Sequence, residues 1–145
     1  MRTIDDALIS IRPNYAEAIL SGKKTIELRR RIPAINLGTR LWIYATRPLG
    51  AIVGSAIVNK IIEGTPADIW EIYMDQIAVG RCEYDKYFTG TDRALGLVLS
   101  DITRRHPIGI ERLREVQDGF HPPQVLARLS RQETNSLSKL AFALT

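Results

Sequence analysis

The sequence predicts an α+β fold: a small, partly open mixed or antiparallel β-barrel of about six strands, with short helices covering its ends. Three observations carry this. Strand-like apolar patterns recur along the chain, and helical patterns interrupt them without regular βα alternation. No linker-like stretch and no internal repeat divides the 145 residues. The chain is therefore read as one domain over 1–145, with a core over about 7–110 and a C-terminal helical segment over about 110–145. At this length, folding buries about two-thirds of the surface an unfolded chain exposes, enough for one core.

Ala7–Ile11 alternates as a short strand and ends at Arg12-Pro13. Pro13 suits a first helical turn, where its missing N–H would be unpaired anyway. Helical spacing of Tyr15, Ala18 and Ile19 extends that helix to Ser21, and Gly22 stands at the left-handed stop. From Thr25 to Ile32, Ile26 and Leu28 point to one side of a strand, with Thr25, Glu27, Arg29 and Arg31 on the other. Arg40–Thr46 and Ala51–Ile62 read as the next strands, with Gly54 marking a bulge or a close backbone approach. Thr65-Pro66 followed by Asp68 signals a helix start, since Thr65 can cap free N–H groups and Asp68 favours the positive helix end. The apolar stripe of this helix assigns Trp70 to packing. Further helices are expected at Glu83–Phe88, Ile110–Val116 and Pro123–Leu129, and strands at Ala94–Ile102 and His106–Ile108. Arg131–Thr145 reads as a tail that either docks as a last helix or frays.

Composition narrows the chemistry. Cys82 is the only cysteine, and His106 and His121 are the only histidines. An internal disulfide and a paired-thiolate metal site are thereby excluded, and no cofactor is expected; a carboxylate-bound Mg²⁺ stays open. No apolar stretch approaches the roughly 20 residues of a membrane helix. The first residues (Arg2, Asp5, Asp6) do not read as a secretory signal, so a cytoplasmic protein is expected. Charge is strongly polarised. Residues 1–50 hold nine Lys or Arg against four Asp or Glu, whereas residues 63–92 hold two against seven. A basic first third points to an anionic ligand such as a phosphate backbone, with ordinary solvated charge as the alternative.

The chemistry-bearing residues concentrate between Gly22 and Arg29. Arg29 offers a planar fork of donors for phosphate or carboxylate. Glu27, two residues away on the same strand face, can hold Arg29 or accept from a base amino group. Lys24 supplies a point charge or, if desolvated, a general base. The alternative is an exposed ion pair on a sheet face, worth about 0–1 kcal/mol. Ser10 and Arg12 stand at the end of the neighbouring strand as one rim, and Thr46 as another; short polar residues in such places also simply cap turns. Tyr44 and Trp42 share a strand face and form either a stacking platform or core. Arg31, Arg40 and Arg47 are candidate phosphate contacts.

Residues 22–29 read Gly-Lys-Lys-Thr-Ile-Glu-Leu-Arg, and this stretch resembles the G-x-K-x-x-E-x-R signature of ASCH domains. The flanks Ile9-Ser-Ile-Arg-Pro and Trp42-Ile-Tyr-Ala-Thr are similar to the corresponding segments of that family, and Ile69-Trp70, Tyr87-Phe88-x-Gly90 and His121-Pro-Pro-Gln124 resemble a bacterial and phage branch of it. The resemblance implies a PUA-like barrel with the signature lining a cleft, and a role in binding RNA or a nucleotide. It also implies two alternatives. One is metal-independent hydrolysis of RNA or modified nucleosides, with Lys24 and Glu27 as acid and base. The acetylcytidine-hydrolysing branch has Thr where this chain has Glu27, so Thr25 enters only as a nearby substitute. The other is a transcription-regulating domain that binds a protein partner, through the acidic segment Pro66–Asp75 or Pro122-Pro123.

Overall fold

The structure, a computed structural model, describes residues 5–124 and 126–143; Arg2 and the last two residues of the predicted tail lie outside them. In chain order the elements are β1 (Asp6–Ile11), α1 (Pro13–Leu20), β2 (Ile26–Arg29), β3 (Arg40–Ala45), β4 (Ala51–Gly64), α2 (Pro66–Ile77), α3 (Arg81–Tyr87), β5 (Ala94–Gly109), α4 (Ile110–Val116), β6 (Ala127–Arg128) and α5 (Arg131–Ala143). The expected mixture of six strands and short helices is what the chain forms. All six strands join one sheet in the order β2-β5-β4-β3-β1-β6. β1 runs parallel to β3, and the remaining neighbours are antiparallel.

The sheet curls into a half-barrel whose concave face holds one core cluster, including Ile9, Ile11, Leu41, Ile43, Val58 and Leu97. Gly54 shows how closely elements approach: a Cβ there would stand 2.5 Å from Leu20 Cδ2 and 2.6 Å from the Thr103 carbonyl oxygen. A second cluster gathers Leu8, Trp42, Tyr44 and Ile52 under α4 and α5. A third packs Ile26, Leu28 and Ile62 against α2 and α3, where Tyr84 and Phe88 stack at 4.8 Å. Trp70 packs on Tyr84 at 4.9 Å, as its place in the helix stripe predicts. The cap reading also holds, because Thr65 Oγ1 accepts from the Asp68 N–H at 3.1 Å.

Two element expectations are corrected. Ala94–Ile102 and His106–Ile108 form one 16-residue strand, with Asp101 at φ 46° inside its first part and a register shift against β4 between Arg104 and Ile108. The polar run Asp101–His106 hides this continuity because it breaks the apolar alternation while the backbone still pairs with β4. The Pro123–Leu129 helix does not form among the described residues. Ala127–Arg128 instead pairs with Ala7–Leu8 at the β1 edge, and this ladder takes the backbone groups that a helix would use. The tail docks as α5, burying Leu137, Leu140 and Ala141. Among the described residues, no helix is long and apolar enough to cross a membrane.

Candidate functional site

α1 ends at Gly22, whose φ of 85° suits a residue without Cβ, and the chain then turns into β2. Two backbone bonds fix this turn: Lys24 N–H donates to Ala18 O and Thr25 N–H to Gln76 O, both at 3.0 Å. Alternation along β2 does the rest. Ile26 and Leu28 enter the third core cluster, and Glu27, paired in register with Leu97, shares the concave face.

The Lys24 ammonium donates to Ile77 O at 2.7 Å and stands 3.6 Å from Glu27 Oε1. Arg29 Nη2 donates both to Glu27 Oε2 at 2.9 Å and to Ser10 O at 2.8 Å. This second bond spans the seam between β2 and β1, which do not pair through their backbones. Lys24 is 1% exposed and Glu27 7%, so the alternative of an exposed surface pair is overturned. Burial pulls the Lys24 pKa down, and the Glu27 carboxylate opposes that pull. Buried ion pairs are a poor source of stability, because desolvation cancels most of the attraction.

These residues form part of the lining of a pocket of about 600 Å³ at the seam. Ser10, Ile11, Arg12, Lys24, Glu27, Leu28 and Arg29 line it together with Tyr15 of α1 and Val79, Glu83, Tyr84, Lys86 and Tyr87. Four cations face two carboxylates there, a net of +2. Two polar atoms in the lining, Ser10 Oγ and Arg29 Nε, are buried without a hydrogen-bond partner among the described residues. Burial pushes the Tyr87 hydroxyl pKa up, and the Arg29 charge pulls it down.

The other predicted residues lie elsewhere. Tyr44 is buried in the second cluster, 6.3 Å from the Phe120 ring, and Trp42 donates from Nε1 to Asp6 at 2.7 Å. Arg40 also bonds Asp6, at 2.8 Å, and lies over the Trp42 ring. Thr46 and Arg47 form the turn between β3 and β4, Arg31 is exposed beyond β2, and Thr25 bonds α2 and β5 through its backbone. None of these lines the pocket. Its aromatic surface comes instead from Tyr15, Tyr84 and Tyr87, which their helical spacing presents as ordinary packing. The one signal pointing to Tyr87 was its place in the Tyr87-Phe88-x-Gly90 stretch.

A curled six-stranded half-barrel with helices at its ends and a polar seam defines the PUA-like class. A family described as "Domain of unknown function (DUF365)" matches residues 8–117. A protein of Zymomonas mobilis named "ASCH domain-containing ribonuclease" is 41% identical over 93% of this chain and 91% of its own length. The crystal structure of ASCH from Zymomonas mobilis, also 41% identical, matches with a TM-score of 0.90 over 93% of this chain and 94% of that one. The chain belongs to the ASCH domain family. The N-terminal domain of Staphylothermus marinus McrB, 12% identical, shares the fold alone, with a TM-score of 0.60 over 92% of this chain and 93% of that one.

Proposed function

We propose that this chain recognises single-stranded RNA by admitting one unstacked nucleotide to the seam pocket. The observation that carries the reading is the pair of buried, unpartnered atoms. A hydroxyl and a guanidinium N–H left without partners inside a protein cost free energy, and a ligand oxygen or ring nitrogen removes that cost. The net charge of +2 favours an anion, the volume suits one nucleotide, and Tyr15 and Tyr87 offer faces on which a base stacks. The Zymomonas mobilis relative, named a ribonuclease, supports RNA as the ligand class.

Ser10→Ala separates this reading from a merely structural one. Removing an unsatisfied buried hydroxyl leaves the free protein equally or more stable, while RNA affinity, read by fluorescence anisotropy on a labelled oligonucleotide, falls by about 1 kcal/mol, roughly fivefold. A lower melting temperature with unchanged affinity would sink the proposal. The relative's name also favours RNA hydrolysis as a second reading, with Lys24 and Glu27 as acid and base. Incubation of the protein with end-labelled RNA decides it: fragments that appear with wild type and not with Glu27→Gln support cleavage.

A further inference from the structure

We infer that Lys24 is a positioning residue, which clamps the helical wall of the pocket onto the Glu27–Arg29 pair and does not itself meet the nucleotide. The inference rests on the RNA reading above for its consequence, but its geometry stands alone. Helix α2 ends at Ile77 with no Lys or Arg in its last turn, so its own sequence leaves the negative end of the helix without a cation. Lys24 supplies that cation from the barrel side, through the 2.7 Å bond to Ile77 O. Just beyond, Ala78 takes a left-handed conformation at φ 52°, and this turns the chain into Val79, Gly80 and α3.

The ammonium has three protons and a partner on each of three sides. Ile77 O takes one, Glu27 Oε1 faces the second, and the Tyr15 ring lies 5.5 Å away. At 1% exposure it has little surface left for a ligand. Burial favours the neutral amine, whereas the Glu27 carboxylate favours the ammonium; in either state the nitrogen is turned toward Ile77 O and Glu27. The wall is tied to the barrel at one further point, Thr25 N–H to Gln76 O. Lys24 is the charged member of the two, and it joins the wall directly to the residues that face the nucleotide.

The test compares Lys24→Met and Lys24→Gln by amide hydrogen exchange and by RNA affinity. Lys24→Met should speed exchange at Ile77–Gly80 and through α3 by about tenfold or more, leave β3 and β4 largely unchanged, and weaken RNA binding by about tenfold. Gln keeps a donor for Ile77 O, so it should recover part of the protection and part of the affinity together. Lost affinity with unchanged exchange in α3 would make Lys24 a direct contact and overturn the proposal; no change in either would overturn it too. If wild type binds no RNA, the functional reading fails while the exchange data still decide the clamp. If Lys24→Met does not fold, amine-reactive labelling of wild type decides: exposed Lys23 should react and Lys24 be spared by about tenfold, whereas equal labelling overturns the clamp.

Discussion

Lys24, Glu27 and Arg29 share one small volume in which burial and pairing oppose each other, and titration makes that opposition measurable. Burial lowers the Lys24 pKa in the folded chain, while unfolding restores the ordinary lysine value. As pH climbs through the lowered value, the folded lysine gives up its proton and the unfolded chain still holds one. The unfolded state binds more protons across that window, so the stability contributed by Lys24 rises with pH until the unfolded lysine also titrates. Urea unfolding should therefore show the stability of wild type rising relative to that of Lys24→Met as pH climbs toward the ordinary lysine range; a relative fall there would contradict the assignment. The three residues were legible in the sequence because strand alternation puts Glu27 and Arg29 on one face. Tyr15 and Tyr87 were not, because each sits in a helix stripe that reads as packing, and only the curl of the sheet brings α1 and α3 to the same pocket. Tyr44 went the other way: period-two aromatics fit core and platform equally well, and α4 and α5 cover its face.

Elements bend here at a few places where the sequence carries the signal in single residues. The register between β4 and β5 shifts between Ile52 and Gly54, Ser55 and Ile57, and Val58 and Lys60, and these irregularities let two long strands curl around the concave core. Gly54 is the legible one, since a glycine inside an apolar strand marks a bulge or a close approach. Asp101 carried no comparable signal, and the polar residues Thr103, Arg104 and Arg105 are why one strand read as two. Gly54→Ala tests the approach. Its Cβ would meet the Thr103 carbonyl as well as Leu20, and a backbone atom cannot swing aside as a side-chain methyl can. The variant should lose about 1–3 kcal/mol in urea unfolding, on the scale of overpacked cores. A loss confined to a few tenths would mean that the β4–β5 ribbon is softer than its contacts indicate. Thr65 and Pro13 were read correctly for a simpler reason: caps are local, so neighbouring residues alone determine them.

On the whole-molecule scale the charge polarity orients the strand proposed to bind. The acidic stretch 63–92 builds the α2–α3 wall, whereas the basic first third supplies the opposite rim through Arg12 and runs on past the pocket at Arg30 and Arg31. Repulsion from the outer wall and attraction along the rim confine a phosphate backbone to the seam side. Arg12 and Lys86 are exposed, line the pocket and are placed to meet the phosphates that flank the bound nucleotide. Each phosphate neutralised on a single strand contributes about −0.7 to the slope of log K against log salt. Replacing both Arg12 and Lys86 by Gln should therefore make the slope less negative by about 1.4, measured by anisotropy titrations across a salt series. Two controls give the number meaning. Ser10→Ala should weaken binding without altering the slope, because a hydroxyl releases no counterion. Arg112→Gln, on α4 and paired with Glu115 at 2.8 Å, should change neither quantity. If the slope is the same with and without Arg12 and Lys86, the phosphates run along a different face and the seam holds only the base.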